Sequence, residues 1–190
     1  LFLKEQATPQ LYPVDLMRGA SECNKRQGWE CADSARIFAR FVAYAVQQIG
    51  EPVGYWLTIN EPTVYVLQSY INGEWPPLQL RSWLKAGRVL RNLARAHVAA
   101  FDAIKRSQPD AKIGFAHNAL WMEPCDRGRF LDRMAARIRD IAFNRVFFGL
   151  IGLAARGLSR RKLDFVGLNY YTRCCVRFES GGPSALLGRS

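Results

Sequence analysis

Tyr55-Trp56-Leu57-Thr58-Ile59-Asn60-Glu61-Pro62 is a short apolar run closed by two polar residues and a proline. Its aromatic and β-branched side chains predict a strand buried on both sides, ending at Asn60-Glu61-Pro62. A helical pattern precedes it. Asp33 suits an N-cap, and Ile37, Phe38, Phe41, Val42, Ala45, Val46 and Ile49 then fall on one face, with Arg36 and Arg40 on the other. Gly50 is placed to stop that helix. A second long helix is expected from about Trp83 to Arg106, with Leu90, Leu93, His97, Phe101 and Ile104 as its buried stripe. Pro109-Asp110 breaks it, and Lys112-Ile113-Gly114-Phe115-Ala116 reads as the next strand. A third helix is expected over Gly128 to Phe147, with Phe130, Met134, Ile138 and Ile141 on its apolar face. The strand Leu163 to Leu168 follows and ends at Asn169-Tyr170-Tyr171.

Strands alternating with helices imply a parallel sheet with right-handed crossovers. No glycine-rich phosphate loop follows a strand, which argues against a nucleotide-binding sheet. Polar residues instead gather just past the expected strand ends: Asn60 and Glu61, His117 and Asn118, Asn169 and Tyr171. In a (β/α)8 barrel that is the face where chemistry sits. The α/β class is thus expected, as a partial (β/α)8 TIM barrel, with residues 1–190 forming a single domain.

Composition narrows the function classes. The 190 residues are 49% hydrophobic, enough for a packed core. The formal net charge is +11, a balance that can signal nucleic acid. However, Arg81, Arg88, Arg91 and Arg95, and likewise Arg129, Arg133, Arg137 and Arg139, share segments with apolar residues at helical spacing. They read as solvated helix faces, and no nucleic-acid partner is expected. No apolar run approaches the roughly 20 residues of a membrane span, and no signal peptide is visible, which favours the cytoplasm. Cys23, Cys31, Cys125, Cys174 and Cys175 form no C-x-x-C pair and are expected to be free thiols. No metal spacing is present, and no cofactor is implied.

Thr58-Ile59-Asn60-Glu61-Pro62 resembles the T-x-N-E-P motif of family 1 glycoside hydrolases, the β-glucosidase type. Tyr55-Trp56-Leu57 fits the same family, and Lys112 to Asn118 looks like its fifth barrel strand. Asp164 to Thr172, with Asn169-Tyr170-Tyr171-Thr172, looks like its sixth. Ala96-His97-Val98-Ala99 and Gln27-Gly28-Trp29 are similar to further family segments. By this resemblance the chain covers the end of strand three through strand six, so the barrel domain is expected to be incomplete at both ends.

The resemblance implies hydrolysis of a β-glycoside or oligosaccharide with retention. Such enzymes use two carboxyl groups about 5 Å apart, one as acid/base and one as nucleophile. Glu61 matches the acid/base and Asn60 the residue that binds the sugar 2-hydroxyl. Asn169 and Tyr171 match supporting residues near the nucleophile. The nucleophile's T-E-N-G motif has no counterpart in this chain. Leu11-Tyr12-Pro13-Val14-Asp15-Leu16 stands where the family has L-Y-H-W-D-L, so Pro13 and Val14 replace a sugar-gripping His-Trp pair. That departure favours, as the alternative, a non-catalytic relative that binds sugar or protein. His97, on an apolar stripe, is expected to be a buried packing residue; His117 fits either the cleft or a supporting position.

Overall fold

A computed structural model of the chain describes residues 28–49, 52–155 and 162–179. In it the extended segments pair as one parallel sheet, β1 (Tyr55–Asn60), β2 (Lys112–Pro124) and β3 (Phe165–Val176), in that order. The helices are α1 (Ser34–Ile49), α2 (Pro62–Val66), α3 (Trp83–Ser107), α4 (Phe130–Asp140) and α5 (Val146–Ala154). This is the expected parallel alternation. Gly50 and the Leu11–Leu16 segment, with Pro13 and Val14, lie outside the described residues.

Alternation along β2 separates a helix side from a barrel side. Ile113, Phe115 and His117 point to the helices. Phe115 is fully buried among Leu93, Val89 and Phe147, and Ile113 packs with Val42, Val46, Phe101 and Ile104. The expected stripe of α3 is buried throughout: Leu90, Leu93, His97, Phe101 and Ile104. Asp164 fastens the lower end of the sheet. Its Oδ2 accepts from the Ile113 N–H at 3.0 Å and pairs with Lys105 Nζ of α3 at 3.2 Å.

Four expectations are corrected. β1 is not buried on both sides, since Tyr55 is 72% and Leu57 54% exposed. They face the barrel side, which the described residues leave uncovered. β2 and β3 run well past their expected ends, pairing as far as Pro124 and Val176, with an irregularity between Ala119 and Trp121. The strand-forming side chains Trp121, Tyr170, Tyr171, Thr172 and Val176 sustain that extension.

The third helix is three pieces: α4, a π turn at Ile141–Arg145, and α5. α4 buries Asp132, Ala135 and Ala136, while Phe130 and Met134 stay exposed. Small residues let α4 lie close on the strand extension, where Ala135 and Ala136 pack on Val176. The Asp132 carboxylate there accepts the Phe178 N–H (3.0 Å) and the Asp126 N–H (3.3 Å). Finally, the cysteines are not all free thiols. Cys125 and Cys175 form a disulfide across the far ends of β2 and β3, and Cys31 is also disulfide-bonded. Cys174 is free, and Cys23 lies outside the described residues.

Gly114 is where β2 and β3 come closest. A Cβ there would sit 2.4 Å from the Phe165 carbonyl oxygen, a backbone atom that cannot step aside. Gly114→Ala is therefore expected to destabilise by at least about 1–3 kcal/mol. Gly149→Ala, on an exposed turn of α5 with nothing within 4 Å, should instead stabilise by roughly 0.5–1 kcal/mol. Urea unfolding midpoints of the two variants check this; equal midpoints would remove the close-approach argument.

Candidate active site

β1 ends in a sharp turn into α2. Glu61 takes a left-handed backbone conformation, φ 46° and ψ 57°, and Pro62 occupies the first position of the helix. A non-glycine residue held there is strained by roughly 1–2 kcal/mol, and its surroundings fix it. The Glu61 N–H donates to the Ala116 carbonyl oxygen of β2 at 2.8 Å, and its own carbonyl accepts the Tyr65 N–H at 3.1 Å. Proline suits the first helical position, because its missing N–H has no role there.

The turn aims the half-buried Glu61 side chain at β3. Asn169 Nδ2 donates to Glu61 Oε1 at 2.7 Å and lies 3.3 Å from Asn60 Oδ1. Asn60, Glu61 and Asn169 are thus brought together. Asn118 sits opposite Asn169 in the β2–β3 register, with its Oδ1 buried and unpaired. Asn118 and Asn169 therefore lie within long strands and not past their ends. Tyr171 is apart from this group. It is 70% exposed and makes no hydrogen bond to Glu61 or Asn169.

Asn60 and Glu61 border a cavity of about 300 Å³ whose walls include Trp29, Tyr65 and Trp75. Trp75 was not singled out from the sequence; an aromatic residue in the Gly-Glu-Trp-Pro-Pro loop was the available signal. Aromatic side chains beside a carboxyl and an amide make a lining suited to a polar ring with apolar C–H faces. Among the described residues no group of three or more His, Cys, Asp or Glu side chains is placed to hold a metal ion. No helix among them is long and apolar enough to cross a membrane.

The model of glycosyl hydrolase family 1 matches residues 12–184. The chain belongs to that family. Curated relatives include the 1,4-beta-D-glucan glucohydrolase of Thermotoga neapolitana, 28% identical over 178 residues that take in 83% of this chain and 41% of the relative. Beta-glucosidase A of Thermotoga maritima matches at 28% over 83% of this chain and 40% of its own length. Among solved structures, a beta-glucosidase from Pyrococcus furiosus superposes with a TM-score of 0.66 at 29% identity, covering 81% of this chain and 31% of that one. A Thermotoga maritima family 1 glycoside hydrolase complexed with a cyclophellitol analogue transition state mimic gives 0.70 at 25%, over 85% and 41%. This chain thus spans about 40% of the length of the Thermotoga relatives, and its sheet is part of the family barrel.

Two histidines support the family site from behind. His97 is fully buried, and its Nδ1 shares a 2.7 Å hydrogen bond with Thr58 Oγ1, two residues before Asn60. Its Nε2 lies 2.7 Å from the Lys162 carbonyl oxygen. It is the expected packing histidine, with a bridging role added. His117 turns away from the cleft, packing edge-on to Phe148 at 5.3 Å and to Phe115 at 6.1 Å.

Burial pushes both imidazoles below their ordinary pKa; the Lys162 carbonyl partly opposes this at His97, as Asn144 and the Glu61 charge do at His117. The folded state therefore holds them neutral, and their contribution is complete above the unfolded pKa of about 6.5. It is lost as pH falls below that value, by up to about 1.4 kcal/mol per pH unit for each ring. These are the chain's two histidines. The urea midpoint should accordingly drop between about pH 7 and pH 5. A midpoint constant over that range would contradict the buried, neutral assignment.

Proposed function

We propose that this chain supplies the acid/base half of a retaining β-glycosidase active site, with β-glucosides or related β-linked oligosaccharides as substrates. The observation that carries the reading is the convergence of Glu61, Asn60 and Asn169 at one rim of the sheet, beside an aromatic-walled cavity.

In the proposed reaction, protonated Glu61 gives its proton to the glycosidic oxygen as the bond to the anomeric carbon breaks. A carboxylate about 5 Å away attacks that carbon from the opposite face. Ionised Glu61 then takes a proton from water, and the water oxygen displaces the enzyme carboxylate, restoring both groups. Asn60 binds the sugar 2-hydroxyl, a contact that strengthens as the ring gains oxocarbenium character. Asn169 holds Glu61 in place. Tyr171 is assigned to the nucleophile's side, consistent with its separation from Glu61. The T-E-N-G motif of the opposing carboxylate has no counterpart in the 190 residues, so the proposed reaction assigns that group to a barrel strand outside them.

The acid/base role is tested in a protein joining residues 12–184 to the remaining strands of a family member. Glu61→Ala should slow substrates with poor leaving groups by roughly 10²–10⁴-fold, and activated aryl glycosides much less, because a good leaving group needs little protonation. Azide should restore turnover and yield a β-glycosyl azide. Equal losses on both substrates without azide rescue would rule the role out. The chain alone should hydrolyse no aryl β-glucoside, since acid catalysis without an opposing carboxylate leaves the transition-state charge unstabilised. Turnover by residues 1–190 that Glu61→Gln abolishes would show that a second carboxylate is already present.

A further inference from the structure

α1 and α3 pack together over the sheet, Val42 and Val46 of one against Phe101 and Ile104 of the other. Beside that seam the two helices enclose a groove of about 590 Å³. None of its lining residues borders the cavity at Glu61. Four arginines line it. Arg36 and Arg40 come from α1, one turn apart, and Arg95 and Arg106 come from α3. The latter two end a row on one helix face that also holds Ala99 and Asp102. Eleven helical residues set them about 16 Å apart along the axis. All four arginines are exposed.

The groove carries uncompensated positive charge. Arg36 pairs with Asp33 at 3.3 Å, but Arg40, Arg95 and Arg106 have no carboxylate partner among the described residues. Asp102 is the acidic side chain of the lining, and it is already paired with Lys162. Like charges held around one concavity repel each other and concentrate anions there. The unpaired cations are arginines, whose planar fork matches phosphate oxygens two at a time. The rest of the lining is alanine: Ala35, Ala39, Ala43 and Ala99. Methyl groups give no aromatic face on which a base or sugar ring could stack, and no pocket for an apolar body. The lining therefore selects a ligand that is nearly all charge, with several anionic groups in line to reach both helices.

We propose that the groove between α1 and α3 binds a linear oligophosphate, its successive phosphates accepting from Arg36 and Arg40 on one wall and from Arg95 and Arg106 on the other. The site is independent of the glycosidase reading, and Glu61 takes no part in it.

The 190-residue chain is titrated with sodium tripolyphosphate by isothermal calorimetry in about 0.1 M salt, where charges more than roughly 10 Å apart are largely screened. One saturable site per chain is expected. A chain of net charge +11 attracts any polyanion, so two variants that each remove two exposed arginines test the position. Arg40→Gln/Arg95→Gln should weaken binding at least roughly tenfold, and Arg137→Gln/Arg177→Gln, outside the groove, by less than about twofold. Urea midpoints establish that both variants are folded; if the first is not, Arg106→Gln set against Arg177→Gln carries the same comparison. Inorganic phosphate, which cannot span the two walls, should bind at least about tenfold more weakly than tripolyphosphate. ATP, the same triphosphate on an adenosine, should bind no more tightly. No saturable binding, equal losses in the two variants, phosphate as tight as tripolyphosphate, or tighter ATP would each overturn the proposal.

Discussion

The hydrogen bond from the Glu61 N–H to the Ala116 carbonyl oxygen sets where the site can be. At Asn60 the regular β1–β2 pairing is already irregular, and Glu61 has left extended backbone space. The chain nevertheless keeps one more contact with β2 before α2 begins, so the turn is anchored to the sheet on one side and to the helix on the other. Ala116 owes its own position to the β2–β3 ladder, and that ladder depends on Gly114 presenting no side chain to Phe165. Asn169 then stands close enough to reach across β2 to Glu61. A constraint on one amide thus determines the geometry of three polar side chains drawn from two non-adjacent strands.

The helix layer reinforces the same place from outside. His97 joins β1, through Thr58, to the segment that leads into β3, through Lys162. Lys162 itself is buried and pairs with Asp102 of α3. A helix that merely covered the sheet would tolerate small rotations; one bonded to β1 and to the segment that enters β3 holds their spacing. At the far end, the disulfide between Cys125 and Cys175 and the Asp132 carboxylate perform the corresponding task for the strand extensions. The two ends of the sheet are therefore fixed by different chemistry, neutral and ionic hydrogen bonding at one and mainly covalent at the other.

Much of this was legible in the sequence, where local patterns and tertiary burial agreed. The α3 stripe and the three parallel strands follow from periodicity, and Glu61 with Asn60 followed from a short motif. What misled was context. Phe130 and Met134 make a plausible apolar face, yet α4 buries Ala135 and Ala136, because the surface it meets is the strand extension and demands close approach. Leu57 reads as core but faces a side the described residues do not cover. Cysteine pairing was hidden for a different reason: Cys125 and Cys175 are 50 residues apart in sequence, and only the β2–β3 register brings them together. Trp75 left only the faint signal of an aromatic residue in a proline-rich loop, and Arg139, which reads as one of a solvated row, is half-buried instead.

Among the described residues the amide donor on Glu61 makes its two oxygens chemically unequal. Asn169 Nδ2 occupies Oε1 at 2.7 Å, and an oxygen that accepts a hydrogen bond has less room and less reason to bear a hydrogen of its own. In the proposed reaction Oε2 would then be the oxygen that carries and gives the proton, chosen before any sugar arrives. Replacing Asn169 by a group without an N–H would leave the carboxyl able to present either oxygen, and part of its population would point the hydrogen the wrong way. Under the proposed role the asparagine would act as a regiochemical selector, so that an otherwise symmetric functional group delivers its hydrogen along one line of approach.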